Sequence, residues 1–70
     1  MSLQAVVGRN IRRLREERGL AQDAFAYEAG VHVTYLSGIE NGNRNITLGV
    51  LERIAKALSV SEASLVQRPK

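Results

Sequence analysis

The stretch AQDAFAYEAGVHVTYLSGIEN, residues 21–41, decides the fold. Its apolar residues fall into two short helical registers separated by a glycine. From Gln22 to Ala29 the spacing gathers Phe25, Ala26 and Ala29 on one face. Asp23 sits in the first turn, where the positive end of the helix dipole favours negative charge. Gly30 ends that segment. From about His32 to Glu40, Leu36 and Ile39, preceded by Val31, point inward and leave Val33, Thr34, Ser37 and Gly38 facing outward. That outward face is short, small and uncharged. Asn41-Gly42-Asn43 then forms a turn, because Asn and Gly both tolerate left-handed backbone.

Working outward, the spacing predicts an amphipathic helix over Leu3 to Arg18, with Leu3, Val7, Ile11 and Leu14 as its apolar stripe. Gly19 suits the left-handed position just past its end, and Arg15 and Arg18 suit the negative end of the dipole. On the other side, Thr47 is an N-cap for a helix through Leu58, in which Leu48, Leu51, Ile54, Ala55 and Leu58 form one stripe. Gly49 weakens its first turn. Ser61 caps a last short helix containing Leu65 and Val66, and residues 67–70 read as a frayed tail. The expectation is a compact all-α, five-helix fold making a single domain over residues 1–70.

Seventy residues hold one core, and a chain this short buries only about 60% of its unfolded surface, so its stability is marginal without added support. There is no cysteine, which removes disulfides and thiolate metal sites together. Self-association is the remaining support. At 44% hydrophobic and 24% charged the composition is that of a folded domain, not a disordered one. No apolar run approaches the ~18 residues of a membrane span, and Leu3 to Val7 is too short and lacks the leading charge of a signal peptide, so a cytoplasmic location is expected. The net charge of +3 favours polyanionic partners.

No catalytic or cofactor motif is present. His32 has no second ligand for a metal, there is no G-x-S-x-G or phosphate-binding glycine loop, and the adjacent acids Glu16 and Glu17 follow a surface pattern. The chain reads as a non-enzyme, without a cofactor or an evident small-molecule ligand.

Two short helices joined by a tight turn are the pattern of a helix-turn-helix, whose second helix fits a major groove about 12 Å wide. Ala26 permits close approach of the two helices, Gly30 makes the turn, and Ile39 locks the second helix to the core. The longer stretch GLAQDAFAYEAGVHVTYLSGIENGNRNITLGVLERIAKAL, residues 19–58, resembles the XRE family of lambda-type repressors and Cro proteins. The marks are Gly19-Leu20, Gln22, Ala29-Gly30-Val31, Tyr35-Leu36-Ser37, Ile39-Glu40, Gly42 and the segment from Leu51 to Leu58. TYLSGIENGNRN followed by Ile46-Thr47-Leu48 looks most like the small stand-alone regulators of that family, including restriction–modification controller proteins.

The resemblance implies a sequence-specific regulator of double-stranded DNA with a recognition helix over residues 32–40. It assigns Gln22 to a DNA phosphate, which the free N–H groups of a helix start also favour. It places Val33, Thr34, Ser37 and Gly38 against the bases, where Thr34 and Ser37 can hydrogen-bond base edges and Val33 can meet a thymine methyl. Many relatives carry Arg or Gln at the positions of Val33 and Gly38. Their absence here weakens direct readout, so specificity would lean on DNA shape and half-site spacing.

Asn43, Arg44 and Asn45 lie in the loop that runs along the backbone in this family. The planar fork of Arg44 suits a phosphate and equally a base at the groove edge. Tyr35 is either a phosphate contact or a packing residue, and His32 is a poor cap standing near the backbone. Arg15 and Glu40 match an ion pair joining the first helix to the end of the recognition helix, while Arg9, Arg12 and Arg13 read as solvated charges beside Glu16 and Glu17, with general attraction to DNA as the other reading. Domains of this kind act as homodimers on half-sites roughly 34 Å apart. Ile46, Val60, Leu65 and Val66 are the candidates for a twofold interface, with core closure as the other reading of Leu65. The rival function is an antitoxin-like protein-binding module that keeps the fold but not specific DNA binding.

Overall fold

In the computed structural model, which describes residues 1–69, both helices of the deciding stretch are present. The chain runs through α1 (Leu3–Glu17), α2 (Gln22–Ala29), α3 (Val33–Glu40), α4 (Leu48–Leu58) and α5 (Glu62–Val66). There is no strand among the described residues. The boundaries follow local chemistry. Thr47 and Ser61 cap α4 and α5 as expected, their hydroxyls accepting from the backbone N–H of Val50 and Ser64, and Ser2 caps α1 through Ala5. Gly19, Gly30 and Gly42 take φ of +68°, +74° and +77°, the left-handed turns that end α1, α2 and α3.

The core joins Val7 and Ile11 of α1, Phe25, Ala26 and Ala29 of α2, Leu36 and Ile39 of α3, the α4 stripe, and Leu65 of α5. Two expected stripes are displaced. On α1 the buried face is Val6, Val7, Gly8, Ile11 and Arg15, while Leu3 is half exposed and Leu14 only partly covered. The helix is turned so that Arg15, not Leu14, points at its partner on α3. On α4, Leu48 is 83% exposed and Val50 takes its place in the core. Leu48 is the first residue after the cap, ahead of the point where the helix reaches its neighbours.

Gly8 explains how α1 packs across the end of α3. A Cβ there would run into the carbonyl oxygens of Ile39 and Glu40, so the two backbones touch with no side chain between them. The Gln4 side-chain amide reinforces the contact by donating to the Gly42 carbonyl at 2.7 Å.

Leu65 closes the monomer core and is fully buried, which removes it from the candidate dimer surface. Gln67 and Arg68, in the expected tail, are exposed and outside any helix, and both are tied back to the N-terminal part of the chain. The Asn10 amide donates to the carbonyls of Leu65 and Gln67, and the Arg68 guanidinium donates to the Met1 carbonyl at 2.7 Å. Lys70, part of that expected tail, lies outside the described residues.

Candidate nucleic-acid interface

The inner face of α3 is spent on the core through Leu36 and Ile39, which leaves Val33 and Thr34 exposed and Ser37 and Gly38 partly covered on the outer side. Eight residues make a rod ~12 Å long, and its diameter with side chains, about 10–12 Å, is what a major groove about 12 Å wide admits. His32 occupies the N-cap of α3 but gives no side-chain cap, so the N–H groups of that first turn stay free.

A buried cluster fixes α3 relative to the other two helices. The Arg15 guanidinium donates from Nε to Glu40 Oε2 at 2.8 Å and from Nη2 to Glu40 Oε1 at 3.0 Å, a two-pronged pair whose side chains are 9% and 1% exposed. A third donor, Nη1, reaches the Leu20 carbonyl at 2.6 Å. The hydrogen bond to Glu40 raises the Arg15 pKa above its ordinary value, outweighing the burial that lowers it. The pair expected from the sequence is therefore present and dry.

Gln22 joins the same cluster. Its amide donates from Nε2 to Glu40 Oε1 at 3.0 Å, so the side chain at the start of α2 is held by the carboxylate at the end of α3. One N–H of that amide remains for an outside acceptor. Ala21, the N-cap of α2, has no side-chain oxygen to offer, so the α2 start lacks a side-chain cap and presents donors beside Gln22. Asp23 takes up one of them, the Ala24 N–H, at 2.9 Å.

After α3 the loop folds back over the helix. The Asn43 N–H donates to the Gly38 carbonyl at 2.8 Å, and the Tyr35 hydroxyl donates to the Asn45 carbonyl at 3.1 Å. Tyr35, half-buried against the core, thereby packs and anchors at once. Between those two ties lies Arg44, its aliphatic stem laid against the bare backbone of Gly38.

Gln22, His32, Val33, Thr34, Tyr35, Ser37, Gly38, Asn43, Arg44 and Asn45 all lie on α3, at the start of α2 or in the adjoining loop. Arg12 and Arg13 pair with Glu16 and Glu17 at 3.3 Å on the exposed side of α1, the solvated arrangement expected of them. Sequence reasoning passed over Tyr27, which is 90% exposed on α2 and lines a shallow cleft with His32 and Val33. Its signal was present: an aromatic residue off the face defined by Phe25, Ala26 and Ala29.

A second surface lies on the other side of the loop. Leu3, Ile46, Leu48 and Val66 line one open cleft, with Leu51 at its base and Asn45 at its rim. Val60 lines a different cleft beside Arg53 and Lys56, so it is separated from Ile46 and Val66.

Two short helices about a left-handed glycine, with the outer face of the second left free, define a helix-turn-helix DNA-binding domain. The chain matches the helix-turn-helix family HTH_3 over residues 11–65 and belongs to it. It is 42% identical over 66 residues to the uncharacterized HTH-type transcriptional regulator y4dJ of Sinorhizobium fredii, covering 94% of this chain and 86% of that one. It is 35% identical over 66 residues to the control protein C.BamHI of Bacillus amyloliquefaciens, covering 93% and 82%. The restriction–modification controller protein C.AhdI of Aeromonas hydrophila superposes with a TM-score of 0.85 at 32% identity, over 89% of this chain and 94% of that one. Fold and family make this chain a DNA-binding transcriptional regulator of the XRE type.

Proposed function

We propose that the protein acts in the cytoplasm as a homodimer, setting two copies of α3 into successive major grooves of a palindromic operator. The observation that carries this reading is the free outer face of α3 beside the uncapped start of α2, where Gln22 is already oriented by Glu40. Gln22 and the α2 N–H groups take a phosphate on one wall of the groove, and Asn43 and Asn45 take the other. Thr34 and Ser37 meet base edges, and Val33 meets a thymine methyl. His32 and Tyr35 stand at the flanks of this face.

The apolar cleft of Leu3, Ile46, Leu48 and Val66 is the dimer surface. Leu48 and Leu3 are 83% and 50% exposed, an unusual outlay of apolar surface for a domain this small, and a twofold contact covers each of them twice.

Selection from a random duplex pool, followed by affinities at two salt concentrations, tests the reading. A palindromic enriched site, with log K falling linearly as log salt rises, is the expected result. No enrichment refutes it, and would return the protein-binding module as the better account.

A further inference from the structure

The outer face of α3 offers no long polar side chain of its own. Val33, Thr34, Ser37 and Gly38 are all short, so a helix seated in the groove leaves the base edges opposite Gly38 without a donor. The loop fills that gap. A Cβ built on Gly38 would collide with Arg44 Cγ and lie 3.4 Å and 3.6 Å from its Cβ and Cδ, so the Arg44 stem occupies the path that a residue-38 side chain would take.

Arg44 is held there from both sides, by the Asn43 N–H on the Gly38 carbonyl and by the Tyr35 hydroxyl on the Asn45 carbonyl. Its guanidinium is absent from every ion pair and side-chain hydrogen bond among the described residues, whereas Arg12, Arg13 and Arg15 each hold a carboxylate. A charged fork with uncommitted donors therefore leaves the protein from the outer face of the recognition helix, although its backbone belongs to the loop.

We infer that Arg44 reads a guanine in the major groove of each half-site, donating from its two-pronged guanidinium to O6 and N7, and that Gly38 is the specificity partner that lets it cross α3. A phosphate role fits this placement less well. A side chain bound for the DNA backbone would not need the helix face bare beneath it. The pairing also accounts for two features of the sequence with one cause: α3 lacks a long reader at position 38 because the reader comes from position 44. This inference rests on the DNA-binding reading above and deepens it.

The experiment begins with the operator selected by the wild-type chain. If the wild-type selects nothing, the sequence-specific reading falls and this inference falls with it, before any variant is made. On an enriched operator, Arg44→Ala is expected to lose discrimination at one G·C pair per half-site by roughly 5- to 150-fold, with preferences elsewhere kept. Replacing that guanine by 7-deazaguanine, which lacks the N7 acceptor, should weaken the wild-type chain and leave Arg44→Ala unmoved. Gly38→Ala, which improves helix propensity while displacing the Arg44 stem, should erode the preference at the same pair and add nothing in the Arg44→Ala background. Thermal unfolding confirms that each variant is folded. Uniform weakening of every duplex by Arg44→Ala, with a lower salt slope and intact preferences, would assign Arg44 to a phosphate and overturn the inference. So would additive effects of the two substitutions.

Discussion

Arg15→Met is the sharpest test of how this domain is held together. The substitution keeps the length and apolar stem of the side chain but strands the Glu40 carboxylate, whose side chain is 1% exposed, with only the Gln22 amide as a partner. It also leaves the Leu20 carbonyl without the donor it has at 2.6 Å. Removing one member of a buried pair costs about 3–5 kcal/mol, because the survivor stays in a dry site uncompensated. At roughly 0.05–0.15 kcal/mol per residue, a 70-residue chain has ~3.5–10 kcal/mol in all, so much of the stability is at stake. With a shift of about 4–8 °C per kcal/mol for a domain of this size, Tm should fall by at least ~12 °C in a circular-dichroism melt. A fall below ~4 °C would place the pair in the range of exposed ion pairs and refute its structural role. The double variant Arg15→Met/Glu40→Leu separates stability from function. It should recover most of the lost Tm, since an apolar replacement removes the stranded charge. Gln22 loses its anchor once Glu40 is replaced, so operator affinity of the double variant should be down by up to ~10-fold. Wild-type affinity in that double variant would show that Glu40 does not position Gln22.

Gly8→Ala should destabilise by about 1–3 kcal/mol, the reverse of the usual gain from Gly to Ala inside a helix, because the added methyl meets the Ile39 and Glu40 carbonyls; a rise in Tm would contradict the close α1–α3 approach. Gln22→Ala should lower affinity for all duplexes alike, whereas Thr34→Ala should change which sequences are selected, and an unchanged selected site would show that the reading face is misplaced. Leu48→Glu should leave helicity intact, turn the protein monomeric in analytical ultracentrifugation, and weaken binding to the full operator much more than to a single half-site. An undisturbed dimer would exclude the cleft of Leu3, Ile46, Leu48 and Val66 as its interface.

The middle of the chain was legible because local and tertiary signals agree there. The same residues that give α2 and α3 their period, Phe25, Ala26, Ala29, Leu36 and Ile39, are the ones the core buries, and Gly30 is both a breaker and a left-handed turn. Periodicity misled at helix ends. Leu3 and Leu48 fit their stripes by spacing, but each lies at the first position of its helix, beyond the reach of the facing elements. The rotation of α1 was hidden for a different reason. Arg15 takes the inward position over Leu14 because Glu40, 25 residues away, supplies a carboxylate there; helical periodicity does not carry that information, although the resemblance had named the pair. Leu65 could be assigned to core or interface only by knowing what packs over α5, and the answer is α1, whose Asn10 amide donates to the Leu65 carbonyl itself.

The loop between α3 and α4 ties the two surfaces of the protein together. Arg44 lies over Gly38 on the reading face, Asn45 accepts the Tyr35 hydroxyl and also rims the apolar cleft, and Ile46 lines that cleft beside Leu48. Three consecutive residues are thus the proposed base reader, its anchor and part of the proposed dimer surface in turn. In the proposed dimer, a copy of the chain docked on Ile46 and Leu48 would restrain the same loop that carries Arg44, so part of the entropy of fixing the proposed reader would be lost on dimerisation and not on meeting DNA. Half-site affinity and self-association are then coupled through the loop backbone as well as through the geometry of the palindrome. For this reason a substitution in the cleft that only loosens the dimer should blur the preference at the Arg44 base pair, whereas one that weakens Gln22 on its phosphate should leave that preference intact.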